Sequence, residues 1–410
     1  MRTVWDGSGE GRRLISRRQM LRRGALGLGG VALAPLMAAC SKTGTSAGSP
    51  GSSGAPEFDW SSLKQSGSMT WANWPLYIDT KKVNGKATIP TLDAFRQQTG
   101  IDVSYREVIP DYASFFSRIE PVLSGDQATG FDLMTMGYPR WLPLMMQLGY
   151  LIPLDQTGLQ NFYQYAGDAY QHRSYDVGNR YSVPYESGIT GIGYDPALTG
   201  REITSVMDLF DPAFKGRVGM FGDTEDLPNL TLLGIGVDPA KSTPSEWNKA
   251  ADLLMKQRDA GIVRKYYDTS YSNDLRSGNL ALSMAWSADI LIANHEGFPN
   301  LRFVVPDEGG LLWTDSLCIP VHAENPVDAM MLMDFLYEPE SAARLTAYIQ
   351  NVCPVPDARQ VLIDQGKASI AHNPLVFPTK DMYTRLHGYR VLSEDEQRVW
   401  DGIFRPIYQG

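Results

Sequence analysis

Pro306-Asp-Glu-Gly-Gly-Leu-Leu-Trp-Thr-Asp-Ser-Leu-Cys-Ile-Pro320 sets Trp313 and Asp315 two residues apart. On a strand that spacing turns an indole and a carboxylate to the same face, because side chains alternate with a period of two. Similar pairings recur elsewhere. Asn73-Trp74-Pro75-Leu76-Tyr77 follows the apolar stretch Met69 to Ala72, and Met284-Ala285-Trp286-Ser287 ends another strand-like run. Asp223 and Asp226 lie just beyond the strand pattern Arg217 to Met220, where open α/β sheets place ligand sites. Any one Trp alone is more often core, and any one Asp a turn or cap. The recurrence is what matters, since aromatic faces attract cations and carboxylates accept ammonium hydrogen bonds.

Outward from these segments the pattern alternates between strands and helices. Ile101 to Val108 puts Ile101, Val103 and Tyr105 on one side, and Phe131 to Met136, Tyr181 to Pro184 and Gly191 to Tyr194 read as further strands. Pro90 to Thr99 places Leu92 and Phe95 on one helical face before Gly100 stops it. Thr243-Pro244-Ser245-Glu246 is a capping box with Pro at the first helical position, opening a helix whose Trp247, Ala251 and Leu254 share a face. Asn325-Pro326-Val327-Asp328 opens another, with Ala329, Leu332, Met333 and Leu336 inward. Helices and strands in this order imply α/β layers and mostly parallel sheets. The roughly 340 residues from Met69 onward exceed one ordinary core, so two lobes are expected.

The N-terminus carries two export instructions. Ser16-Arg17-Arg18-Gln19-Met20-Leu21-Arg22 resembles a twin-arginine signal. The run Ala25 to Leu36 is too short to span a membrane but suits a signal's apolar region. Met37-Ala38-Ala39-Cys40 resembles a lipobox, so residues 1–39 read as a signal peptide and Cys40 as the lipidated first residue. Residues 40–67, rich in Ser, Gly, Thr and Pro, read as a flexible tether. The protein is therefore expected outside the cytoplasm, anchored to the outer face of the cytoplasmic membrane. The whole chain carries −9, but residues 1–39 hold seven Arg against Asp6 and Glu10, leaving the exported part at −14. That charge argues against nucleic acid and is compatible with a cationic ligand. Once Cys40 is lipidated, Cys318 and Cys353 remain as one possible disulfide, which spacing alone cannot pair.

Enzyme chemistry is thin. His172, His295, His322, His372 and His387 are scattered singly, without H-E-x-x-H or paired metal spacing. There is no G-x-S-x-G and no P-loop, and Gly234-Ile235-Gly236-Val237 lacks the third glycine of a dinucleotide fingerprint. Ser61-Ser62-Leu63-Lys64 matches S-x-x-K, yet neither S-D-N nor K-T-G follows. No enzyme activity, cofactor or metal is expected.

The order of segments resembles the spermidine/putrescine-binding proteins of polyamine ABC importers. Met69 to Tyr77, Thr99 to Val103, Phe131 to Met134, Gly149 to Asp155, Tyr181 to Tyr185, Asp208 to Gly216, Trp286 and Pro306 to Pro320 run in the family's sequence, and the last is the most specific. The resemblance implies a two-lobed α/β fold of the periplasmic binding protein type, with hinge crossovers and a ligand cleft between lobes. Lobe one would comprise 68–187 and 316–357, and lobe two 188–315 and 358–410. It also implies a monomer that captures polyamine and hands it to a permease, or the same fold binding another small amine or organic cation; a secreted hydrolase is the third reading.

By the same resemblance, Trp74, Tyr77, Trp286 and Trp313 form aromatic walls. Asp315 grips an amine, and Asp223 and Asp226 hold a second one. Asp226 stands where a Glu is usual. Three places depart: Gly137-Tyr138-Pro139-Arg140 replaces a Ser-x-Tyr element and leaves Tyr138 as the match, Cys353 replaces a Tyr ahead of Pro354-Val355-Pro356, and Glu186 is an extra acid at the first crossover.

Overall fold

The computed structural model describes residues 58–409, so the signal peptide, Cys40 and the tether to residue 57 lie outside the described residues. Twelve strands follow in chain order: β1 (Ser68–Asn73), β2 (Lys81–Val83), β3 (Lys86–Thr88), β4 (Asp102–Glu107), β5 (Leu133–Tyr138) and β6 (Ser182–Tyr194), then β7 (Val218–Phe221), β8 (Val263–Tyr267), β9 (Leu282–Trp286), β10 (Arg302–Val304), β11 (Gly310–Cys318) and β12 (Leu386–His387). One sheet runs β4-β1-β5-β11-β6-β9-β7-β8, with β10 and β12 at its side, while β2 and β3 form a separate hairpin.

Parallel pairing holds within each end of that sheet and between β11 and the short β12. β1 pairs parallel with β4 and β5, and β7 pairs parallel with β8 and β9. In the middle, β11 runs antiparallel to β5 and β6, and β6 antiparallel to β9. The sheet is therefore mixed rather than mostly parallel, because the two crossovers must carry the chain from one lobe to the other and back. Tyr181 to Pro184 and Gly191 to Tyr194 read as two strands in sequence but belong to one. β6 is buried along all thirteen residues, having partner strands on both edges and cover on both faces.

The helices form where their signals stand. Pro90–Thr99 ends at Gly100 in the left-handed conformation, with Leu92 and Phe95 buried. Pro244–Asp259 starts on the reciprocal bonds of Thr243 and Glu246, and buries Trp247, Ala251 and Leu254. Pro326–Phe335 buries Ala329, Leu332 and Met333. These faces pack into separate cores. One gathers Trp71, Phe95, Phe162 and Tyr185 with Leu317, Leu336 and Ile349; another gathers Ile192, Phe221, Leu230 and Trp247 with Leu282, Trp400 and Phe404. A third, around Phe115, Met136, Trp141 and Cys318, covers the other side of the first lobe's sheet.

Two boundaries fall elsewhere than the sequence suggests. Ala358, Leu362, Ala371, Val376 and Phe377 join the first core, since the helix Ala358–Asp364 packs on the helix Pro339–Ile349 that precedes it; Tyr389, Trp400, Phe404 and Ile407 complete the second. The tether also ends earlier than residue 67. Phe58 and Trp60 pack on the first core, Trp60 Nε1 donates to the Pro153 carbonyl at 3.0 Å, and the backbone N–H of Ser66 donates to the buried Asp328 carboxylate at 2.9 Å.

Cys318 and Cys353 are free thiols, buried in different cores. Burial pushes both up, Cys353 to about 12, so neither is a ready thiolate.

Candidate functional site

Asp315 lies on β11 opposite Gly137 of β5 and Glu186 of β6. Directly opposed residues in antiparallel strands share a face, so the Glu186 carboxylate stands beside that of Asp315. Two phenols complete the group. Tyr112 donates to Asp315 Oδ1 at 2.6 Å, and Tyr77 donates to Oδ2 at 2.9 Å. Tyr112 opens the helix Tyr112–Ser124, whose start is fixed by Asp111 accepting the Ser114 N–H at 2.7 Å. Its ring reaches Asp315 across Gly137, where a Cβ would sit 2.4 Å from Tyr112 Cε2. Tyr77 is held through its own carbonyl, which accepts from Tyr185 at 2.7 Å.

Aromatic walls stand on either side. Trp74 meets Tyr112 edge-on with ring centroids 4.9 Å apart, and Tyr77 meets Tyr185 edge-on at 5.4 Å. Trp313 lies opposite Gly188, flat enough against it that a Cβ there would fall 1.9 Å from Trp313 Cζ2. The indole N–H groups of Trp74 and Trp313 are buried without a hydrogen-bond partner among the described residues.

Further along the same face of β6, Thr190 stands opposite Trp286. Both point at Asp226: Oδ2 accepts from Thr190 Oγ1 and from Trp286 Nε1 at 2.9 Å each, and Oδ1 accepts from the Tyr389 hydroxyl. Asp226 is thus filled by protein donors and fixes the Trp286 indole beside Phe221, centroids 4.7 Å apart. Asp223 caps the helix Asp226–Gly234, its Oδ1 accepting the N–H groups of Glu225, Asp226 and Leu227. Glu186 and Thr190 are four residues apart on one strand, so the two acid groups are separated by about 13 Å at the usual rise.

The electrostatics have one sign. Burial lifts the Asp315 carboxyl to about 6, its two tyrosine donors opposing the rise and the Asp226 charge adding to it. Glu186 goes well above the ordinary range through burial and the neighbouring Asp315. Asp223 and Asp226 are raised too, chiefly by burial, and Glu225 rises to about 7 for the same reason with Arg140 opposing. Tyr77 and Tyr112 are pushed up by burial and by Asp315, so they remain donors. Among the described residues no Lys, Arg or His forms an ion pair with Asp315, Glu186, Asp223 or Asp226. Carboxylates withdrawn from water without a protein cation suit a ligand that brings its own.

The structure brings Trp74, Tyr77, Trp313 and Asp315 together, and joins Trp286 to Asp226. Tyr138 stands beside Tyr389: its hydroxyl donates to the Tyr389 carbonyl at 2.6 Å, its ring meets the Tyr389 ring edge-on at 6.2 Å, and its other face stacks on Tyr175 at 4.4 Å. Arg140 is taken by Asp401 at 3.3 Å and lies over the Trp141 ring, while Cys353 packs into the first core. Tyr112, Gly137, Gly188, Thr190 and Tyr389 join these clusters and are residues that the sequence alone does not single out. Only Tyr112 had a local signal, one residue past a helix-capping Asp.

Comparison with known proteins matches residues 91–378 to the profile described as bacterial extracellular solute-binding protein. The chain is 28% identical over 297 residues to the spermidine/putrescine-binding periplasmic protein 1 of Haemophilus influenzae, covering 72% of this chain and 79% of that one. It is 25% identical over 338 residues to a putrescine/agmatine-binding protein of Pseudomonas aeruginosa, covering 78% and 88%. Among solved structures, the spermidine/putrescine ABC transporter substrate-binding protein of Streptococcus pneumoniae superposes with a TM-score of 0.70 at 22% identity, over 84% of this chain and 99% of that one.

Proposed function

Because the chain belongs to the bacterial extracellular solute-binding protein family, we propose that it captures polyamines of the spermidine and putrescine kind between its lobes and delivers them to an ABC importer. One observation carries the ligand class. Asp315 is half-buried between two tyrosine donors and aromatic walls, with no ion-pair partner among the described residues. A polyamine is an apolar rod with ammonium groups at intervals. Its methylenes would lie against Trp313, Trp74 and Trp286, and one ammonium would pair with Asp315. A second would approach Asp223, since Oδ2 of that residue accepts nothing from the described residues, with Asp226 acting through the indole it holds.

Desolvated cation–π contacts contribute roughly 2 kcal/mol each and charged hydrogen bonds about 1.5 to 3, enough together for micromolar binding or tighter. Isothermal titration of the purified protein with putrescine, spermidine, choline and basic amino acids is the direct test. Saturable binding of a polyamine is expected, and heats indistinguishable from dilution for both polyamines would reject the reading.

The protein acts as a monomer outside the cytoplasm, held to the membrane by a lipid on Cys40. Cys40→Ser is expected to move it from the membrane to the soluble fraction; membrane retention of that variant would reject the anchor.

A further inference from the structure

Glu186 is an acid beside Asp315 that the binding scheme above leaves unused. It is 2% exposed, its Oε2 has no hydrogen-bond partner, and no described residue donates to it. Its backbone is held in β6 by pairing with β11 on one edge, and the next residue, Ser187, bridges Val352 on the other. The register sets it directly across from Asp315, on the face that carries Trp313 and Thr190. Tyr77 and Tyr112 each occupy one lone pair of Asp315, so one acceptor position per oxygen remains, next to the unfilled carboxyl of Glu186.

We propose that Glu186 is a second cation-holding carboxylate, so that the cleft seats one N–H-bearing ammonium between Glu186 and Asp315 and disfavours quaternary ammonium, which has no N–H to give. This rests on the amine-binding reading above. A primary or secondary ammonium has two or more N–H donors and can reach both carboxylates at once; a trimethylammonium group can satisfy neither.

The other titratable groups facing Glu186 are Tyr77, Tyr185, Tyr337 and Cys353, all of which burial keeps protonated. With no cation between them the two adjacent carboxyls hold a proton, Glu186 being raised by burial and by the Asp315 charge, and Asp315 chiefly by burial. Seating an ammonium therefore releases that proton to the buffer.

The test compares the parent with Glu186→Gln, which keeps the shape and mimics a neutral carboxyl. Spermidine and choline are titrated into each, and the parent is also titrated with spermidine at pH 7 in buffers of different ionisation enthalpy. Spermidine affinity is expected to fall at least tenfold in Glu186→Gln, with choline changing much less, and the parent to release close to one proton. Spermidine affinity within twofold of the parent would overturn the proposal, as would zero proton release, a measurement that does not depend on the variant folding. If the parent binds spermidine and the variant matches it, the inference alone fails; if the parent binds no amine, the amine-binding reading fails with it.

Discussion

Asp315→Asn is expected to weaken polyamine binding by about 2 kcal/mol or more, roughly thirty-fold, because it keeps the shape of the seat but removes the charge that faces the ammonium. Trp313→Ala should cost at least as much, since a central indole supplies contact area as well as a π face. Asp155→Asn is the matched control. Its carboxylate serves a surface turn, accepting from the N–H and hydroxyl of Thr157 at 3.0 and 2.7 Å, and its removal should leave affinity unchanged. Titration calorimetry on the three variants decides the matter, and parent-like affinity in both Asp315→Asn and Trp313→Ala would return those residues to a structural role.

The same carboxyl makes binding depend on pH. Asp315 is raised from 3.8 to about 6 by burial, so its protonated form favours the folded, ligand-free protein below the unfolded value, and that contribution is lost as pH rises through about 6. Cation affinity runs the other way. It should climb between about pH 4 and 7 as Asp315 ionises, while the ligand-free melting temperature loses a contribution over the same window. In Asp315→Asn the affinity profile should flatten there.

Gly188→Ala is expected to damage the site as badly as deleting the indole it faces. The added Cβ would lie 1.9 Å from Trp313 Cζ2 and 2.4 Å from Cε2, a separation no side chain tolerates, and Trp313 is a rigid ring that cannot give way by bending. Overpacking of this kind typically costs about 1 to 3 kcal/mol of stability. The displaced indole should also lower polyamine affinity at least tenfold.

Gly402→Ala provides the contrast. It lies in the helix Glu394–Gln409 with nothing within 4 Å of the added carbon, so it should stabilise the protein by about 0.5 to 1 kcal/mol and leave binding alone. Thermal melts and titrations of both variants test the pair. A Gly188→Ala protein that binds like the parent would show that Trp313 is not fixed by this contact.

The cleft's ingredients were legible in the chain, their assembly less so. Trp313 and Asp315 could be placed on one face from their spacing alone, because strand alternation is a local rule. Pro244–Asp259 was legible for a similar reason, its start being specified by the side chains of Thr243 and Glu246 three residues apart. Glu186 was visible as an extra acid, but its position against Asp315 depends on a register between residues 129 positions apart.

Local rules thus settled the α/β class, the starts of the three helices at Pro90, Pro244 and Pro326, and which aromatic and acidic residues deserved testing. What the tertiary structure alone decided was partnership. Tyr112 meets Asp315 only because β5 and β11 pair with Gly137 between them, and Asp226 is filled by Thr190, Trp286 and Tyr389 from three separate stretches of chain. Hydrogen bonds and van der Waals contacts act over a few ångströms, whatever the separation in sequence. So the sequence can nominate a carboxylate, but whether that carboxylate is spent on the protein or left for a ligand is set by the packing around it.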